Sequence, residues 1–184
     1  MPRIFLIRHA EPALTGVILG ATDAPLSARG HGQARQLAAN FPAAQPLAAV
    51  YASPLRRSTQ SAAYLLEPWR PLAALDGLRE ISYGSWDGLS WDEIAARDPG
   101  LAARKAADWL GVDVPGGETW ADFRARVASV LSRILAGPLP AAIVAHQGVN
   151  AHLARLLGGG VETSFQQSYC EMLSYELPTD STNL

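Results

Sequence analysis

The sequence predicts an α/β protein: a three-layer sandwich with a mostly parallel central sheet and helices on both faces. Three observations carry this. Short apolar runs alternate with helical stretches along the chain, the pattern of a layered α/β domain. Two of these runs, Ile4-Phe5-Leu6-Ile7 and Ala141-Ala142-Ile143-Val144-Ala145, have no polar interruption and read as buried strands. Each run delivers a histidine at its C-terminal edge, His9 behind Arg8 in the first and His146 in the second. In open α/β sheets ligands bind at that edge.

The elements follow in order. After the first strand comes a loop punctuated by Gly and Pro, from Glu11 to Leu26. Ser27 caps a predicted helix to about Ala39, with Gly30 and Gly32 weakening its start. Leu47 to Ala52 reads as a second buried strand. Ser53-Pro54 is a helix start, a capping hydroxyl followed by proline at the first helical position. Leu55, Thr59, Ala62, Ala63 and Leu66 form the stripe of that helix, and Pro68 ends it. Leu72 to Leu75 is a short strand. Ser90-Trp91-Asp92-Glu93 is a capping box before a short helix ended by Pro99. Thr119 opens the clearest helix: Trp120, Phe123, Val127, Val130 and Ile134 recur at helical spacing until Gly137-Pro138. Gly148 to Leu157 is the last helix, and Glu171 to Leu177 a further strand.

Composition bounds the rest. With 184 residues, 48% hydrophobic and 17% charged, the chain fits one domain over residues 1–178, with 179–184 as a flexible C-terminal tail. A net charge of −2 supplies no global field for nucleic acid or an acidic membrane surface, so any anion site must be local. The single Cys170 rules out an internal disulfide framework and fits a reducing compartment. Four consecutive apolar residues before Arg8 are too few for a signal peptide or a membrane span, so the expected location is cytoplasmic.

The candidate chemistry sits where strands end. Arg56 and Arg57 fall in the first turn of a predicted helix, where a positive partial charge already resides. That placement makes sense if an anion binds there, and the planar fork of arginine suits phosphate oxygens. Arg56 is assigned to this role and Arg57 to solvent. His9, with Arg8 before it, Glu11 after it and His146 on a matching strand, reads as functional. His31, His152 and Arg3 read as surface or packing residues. A metal held by His9, Glu11 and His146 is set aside, because no paired-histidine helix spacing is present and arginines crowd the site.

These residues resemble the histidine phosphatase superfamily, the phosphoglycerate mutase-like group. Arg8-His9-Ala10-Glu11 looks like its N-terminal signature, and Gly20 to Gly30 like the segment that follows. Ser53 to Gln60 resembles the segment with the second phosphate arginine, Leu78 to Gly88 the stretch with the acid, and Val144 to Gly148 the second histidine motif. The resemblance implies that His9 attacks phosphorus and that Glu80 protonates the leaving oxygen. It implies that Arg8, Arg56, His146 and Gln147 hold the phosphate, with Gly20, Tyr83 and Trp86 lining the substrate pocket. Without it, Glu80 is as readily a surface carboxylate paired with Arg79.

It further implies no cofactor and no metal, a small phosphorylated metabolite as partner, neither nucleic acid nor membrane, and leaves a homodimer open. Ala10, Thr15 and Gln147 depart from the common family residues. The short stretch between Gly88 and Gly117 leaves little material for a bisphosphate-retaining lid, which favours hydrolysis. Trp86-Asp87-Gly88-Leu89-Ser90-Trp91 looks like the α-ribazole phosphatase and broad-specificity phosphatase branch. Trp86, Trp91 and Trp109 are equally readable as pocket wall or as packing, whereas Trp120 lies on the core stripe. The expected function is therefore a metal-independent phosphomonoesterase acting through phosphohistidine. The alternatives are mutase-type phosphoryl transfer and a non-catalytic phosphate-binding regulator.

Overall fold

The computed structural model describes residues 2–42, 46–66 and 72–178. Pro68 and the tail 179–184 lie outside the described residues. Five strands form one sheet: β1 (Arg3–Arg8), β2 (Ala49–Ala52), β3 (Leu72–Ala74), β4 (Ala141–Ala145) and β5 (Met172–Glu176). Their order is β3-β2-β4-β1-β5. All pairs are parallel except β1 with β5. The helices are α1 (Ala28–Ala39), α2 (Arg56–Ala63), α3 (Trp91–Arg97), α4 (Pro99–Ala107), α5 (Trp120–Leu135) and α6 (Gln147–Leu156).

The two faces of the sheet are read off alternate residues, as strand geometry demands. Ile4 and Leu6 of β1, with Ala141, Ile143 and Ala145 of β4, pack against Phe123, Val127 and Ile134 of α5 and Val149 and Leu153 of α6. Phe5 and Ile7, with Ala142 and Val144, face the other way, against Ala62 of α2 and the edge of α1 at Leu37 and Ala38. The layered sandwich expected from the sequence is the fold observed.

Several boundaries move. β2 begins at Ala49 rather than Leu47 because its partner β4 begins at Ala141. One residue earlier the partner would be Pro140, which has no N–H for a ladder. The N–H of Ala48 instead bonds the Pro140 carbonyl at 2.7 Å. Pro99 does not merely end α3; it opens α4, with Asp98 capping the new helix by accepting from the N–H of Leu101. The capping box at Ser90 and Glu93 and the caps at Ser27 and Thr119 are all formed. Gly30, which weakens α1 locally, is there for close approach: a Cβ would lie 2.1 Å from the Glu11 carbonyl oxygen.

The largest shift is at α2. Ser53 does not cap the helix; its hydroxyl accepts from the N–H of Leu55, which stays extended, and the helix begins at Arg56. The cap comes from a distant segment, because the Asp23 carboxylate accepts the N–H of Arg56 at 2.6 Å. The anion that the helix start calls for is thus supplied by the chain itself. Of the predicted apolar stripe Leu55 and Ala62 are buried, but Ala63 is exposed, and the polar residues Arg57, Ser58 and Ser61 are buried beside them. Ser58 donates to the Val144 carbonyl, and Ser61 donates to the Arg57 carbonyl while accepting from the N–H of Ala10. This polar seam locks α2 to the ends of β4 and β1.

Candidate active site

The register of β1 on β4 sets the site. Arg8 lies opposite Ala145, so the next residues, His9 and His146, leave adjacent parallel strands side by side. The ladder continues one bond further, from the N–H of His9 to the Ala145 carbonyl at 2.9 Å. The two rings meet edge to face, with centroids 5.1 Å apart. Both lie on a cavity of about 170 Å³ shared with Arg8, Arg57, Glu80, Gln147 and Tyr169.

Hydrogen bonds fix the protonation of each ring. Nδ1 of His9 meets the Ala10 carbonyl oxygen at 2.7 Å, so Nδ1 carries the proton and donates. Nε2 then holds a lone pair. Burial first, then Arg57 and Arg8, pull the His9 pKa down to about 3 against the raising effect of the Ala10 bond. His146 is the mirror case: Nε of Arg57 donates to its Nδ1 at 3.3 Å, which places the ring proton on Nε2. Burial, followed by its neighbours His9, Arg57 and Arg8, holds its pKa well below the ordinary value. Its Nε2 is buried with no partner, and so is Nε of Arg8. Buried donors are almost always satisfied, so two orphans on one cavity wait for an acceptor from outside.

These neutral rings link the site to acid stability. Each stays uncharged in the folded chain but charges readily once unfolded, so the unfolded state binds more protons below about pH 6.5. Stability is fully present above that value and is lost as pH falls toward 3. For His9 alone the loss from pH 7 to pH 5 is about 2 kcal/mol. Urea unfolding of His9→Asn at the two pH values should show a correspondingly smaller difference than the parent. An equal difference would mean that His9 is not held neutral.

Arg57 is the second guanidinium of the cavity, and this corrects the assignment of Arg56. Arg56 is exposed and outside the cavity lining, whereas Arg57 is 1% exposed. Starting the helix at Arg56 turns the next side chain inward. Beyond its bond to His146, Arg57 donates to the carbonyls of Thr22, Leu19 and Gly20 at 2.6 to 3.0 Å. Gly20 is therefore not pocket wall, and it is absent from the lining. A Cβ there would lie 2.3 Å from the Ile81 carbonyl oxygen, so this glycine lets the 19–22 loop press on the acid-bearing stretch.

Trp86 is likewise corrected. It is buried in the core, outside the cavity lining, with its ring 6.1 Å from Trp91 and edge-on to it. Trp91 and Trp109 continue this aromatic row to the back of Tyr83, and only Tyr83 reaches the cavity. His31 contacts the Tyr64 hydroxyl, and His152 pairs with Glu162, both away from the site.

Glu80 lies in the cavity and not against Arg79, which pairs with Asp76. Its Oε1 accepts from the N–H of Ile81 at 3.1 Å and its Oε2 from the N–H of Gly148 at 3.0 Å, in the first turn of α6. Burial raises its pKa above the usual carboxylate value, against the two N–H groups and the Arg57 and Arg126 charges. Desolvation thus wins, which favours the protonated acid.

Gln147 lines the cavity, but its amide is engaged in holding a strap over it. It donates to the Phe165 carbonyl at 2.7 Å and accepts from the N–H of Gln167 at 3.2 Å. Arg8 donates to the Gln167 carbonyl and lies 4.3 Å from the centre of the Tyr169 ring, a cation–π contact. Tyr169 and Gln167 carry no motif of their own in the sequence. Arg57, by contrast, was detectable: Ser58 and Ser61, three apart, mark a face of α2 small and polar enough to bury. Among the described residues no group of three or more His, Cys, Asp or Glu side chains is arranged to hold a metal ion. Nor is any helix there long and apolar enough to cross a membrane.

A family model, the histidine phosphatase superfamily (branch 1), matches residues 4–183. The chain belongs to that superfamily. It is 31% identical over 138 residues to phosphoserine phosphatase 1 of Hydrogenobacter thermophilus, a match covering 73% of this chain and 64% of that protein. It is 32% identical over 170 residues to a glucosyl-3-phosphoglycerate phosphatase of Mycobacterium tuberculosis, covering 84% of this chain and 74% of the relative. Its fold matches the crystal structure of the α-ribazole phosphatase from Shigella flexneri with a TM-score of 0.87 and 25% identity, over 96% of this chain and 91% of that one. The histidine phosphatase chain thus spans less than two thirds of the first of these relatives.

Proposed function

We propose that this histidine phosphatase family member is a phosphomonoesterase that hydrolyses a small phosphorylated metabolite through a phosphohistidine. The observation that carries the reading is the pair of protonation states. His9 offers an unprotonated Nε2 beside two buried donors, Nε of Arg8 and Nε2 of His146, that have no partner. A phosphoryl group supplies what all three lack: an electrophile for the first and oxygens for the other two.

Nε2 of His9 attacks phosphorus, and the bond from phosphorus to the ester oxygen breaks. Glu80, held toward the protonated form by burial, gives its proton to the departing oxygen, and an alcohol leaves. Arg8 and Arg57 neutralise the equatorial oxygens, where the charge of phosphoryl transfer resides, and the neutral His146 ring donates its Nε2–H to them. Water then attacks the phosphohistidine. The Glu80 carboxylate takes the proton of that water, the P–N bond breaks, and inorganic phosphate leaves. Splitting one displacement into two is the benefit of the covalent step.

Hydrolysis of phenyl phosphate in excess chelator tests this, together with acid-quenched and alkali-quenched samples. The expected result is turnover in chelator and a phosphoenzyme lost in acid but retained in alkali. Turnover that vanishes with chelator would overturn the metal-independent reading. For Glu80→Gln, hydrolysis should slow by roughly 10²-fold or more with alkyl phosphates and far less with 4-nitrophenyl phosphate, whose leaving group needs no proton. Equal slowing on both esters would remove Glu80 from the role of acid.

A further inference from the structure

We infer that the cavity selects phosphate monoesters whose alcohol portion is uncharged, and discriminates against those bearing a carboxylate or a second phosphate. This deepens the phosphatase reading and rests on it.

The positive charge around the cavity is already committed. Among the described residues its lining holds two cationic side chains, Arg8 and Arg57. Both belong to the phosphate end. Arg57 gives most of its N–H groups to His146 and to the carbonyls of Leu19, Gly20 and Thr22. Arg8 is bound to the Gln167 carbonyl and stacked on Tyr169. A phosphate monoester dianion already uses the charge that these two supply.

The remaining wall is neutral. Leu14, Val17 and Leu19 with the Tyr83 ring form an apolar rim, and Thr15 and Tyr169 add hydroxyl groups without charge. Other cations lie near but face elsewhere. Arg126 is clamped by both oxygens of Glu118 at 2.6 and 2.7 Å and donates to the Gly77, Arg79 and Glu80 carbonyls. Lys105, the single lysine, is buried behind Tyr83 and Trp109, with Nζ donating to the Trp109 and Val112 carbonyls at 2.5 Å.

Among the described residues the one carboxyl group on the lining, Glu80, is held toward its neutral form by burial and offers an anion no positive partner. A second anion on the substrate would enter this apolar rim with no partner. Desolvating an unpaired charge is costly, so discrimination arises from exclusion of the wrong group. The volume of about 170 Å³ is below the usual span of organic-ligand pockets and fits a phosphoryl group with the first atoms of its alcohol. Anything beyond those atoms rests on the half-exposed rim at Leu14.

The test uses the whole chain and a matched pair, phenyl phosphate and 3-carboxyphenyl phosphate. The carboxyl group makes the phenol a slightly better leaving group, so any loss of rate with it reflects recognition and not reactivity. The expected result is kcat/KM about tenfold or more lower for the carboxylated ester. Leu14→Lys, on the exposed rim, should recover most of that difference, read as the ratio of the kcat/KM values of the two esters. Calorimetry of both esters on His9→Ala reads the same preference as affinity, independent of turnover. A binding preference for phenyl phosphate without turnover in the parent would leave this inference standing and overturn the phosphatase reading. Equal or tighter binding and equal or faster hydrolysis of the carboxylated ester would overturn the inference while leaving phosphatase activity intact.

Discussion

Replacing His9 by alanine should reduce phosphomonoesterase activity by at least 10³-fold on every ester, with kcat carrying the loss. Magnitudes of that order are typical when a covalent nucleophile is removed and only electrostatic stabilisation remains. The expectation is uniform across leaving groups because Nε2 forms the bond to phosphorus whatever alcohol departs. The fold should survive: the His9 side chain makes one hydrogen bond, to the neighbouring Ala10 carbonyl, and its backbone N–H keeps the bond to Ala145. Vanadate affinity should fall less than the rate, because Arg8, Arg57 and His146 still face an oxyanion. The variant should also yield no acid-labile phosphoenzyme under rapid quench. If His9→Ala hydrolyses phenyl phosphate at more than a tenth of the parent rate, the nucleophile lies elsewhere.

The form of His9 that the proposed attack needs is the form the fold stabilises. Burial disfavours the imidazolium, two guanidinium groups disfavour it again, and a backbone carbonyl selects the tautomer with its lone pair on Nε2. The same burial works in the opposite chemical direction on Glu80, raising its pKa. One desolvated cavity thus produces a neutral base and favours a neutral acid, and no metal is invoked for either. Both groups depart from their solution behaviour through a single physical cause.

What could be read in advance follows from this division between strand and loop. His9 and His146 were legible because each follows an uninterrupted apolar run, and because parallel strands end at a common edge. Which residues opposed one another was not legible, yet the pairing of Arg8 with Ala145 decides that the imidazoles touch. Glu80 was found through motif likeness, since no periodicity marks a carboxylate on an irregular segment. Tyr169 and Gln167 were missed because their roles depend on a strap folded back over the edge from 160 residues away. Trp86 misled because aromatic residues in a row suit a pocket and a core equally well. Burial in the core cluster, with Trp91 edge-on against its ring, places it in the core.

Which arginine enters the cavity depends on where α2 begins. Reading Ser53 as the helix cap put Arg56 and Arg57 in the third and fourth helical positions, and the strand before them pointed to Arg56. In the fold Leu55 is the residue before the helix, and Asp23 takes the first free N–H. That rotates Arg57 into the cavity and leaves Arg56 in solvent. Arg57→Ala should therefore cost roughly 10²- to 10³-fold in kcat/KM, the scale for loss of one transition-state donor. Arg56→Ala should stay within about twofold, as surface substitutions usually do. Arg57 also holds the 19–22 loop and orients His146, so its loss should lower stability as well, by about 2 kcal/mol, the scale for losing hydrogen bonds from a charged group and leaving buried carbonyls unpaired. Arg57→Lys separates the two roles. It keeps the charge but not the planar fork, so the His146 ring loses the Nε–H donor that orients it, and activity should remain depressed even where the chain folds. Adding guanidine to Arg57→Ala should restore part of the rate without restoring thermal stability, because the free ion can meet the phosphate but cannot tie the loop to α2. If Arg56→Ala proves the more damaging of the two, then the helix start, the Asp23 cap and the inward arginine are all misplaced.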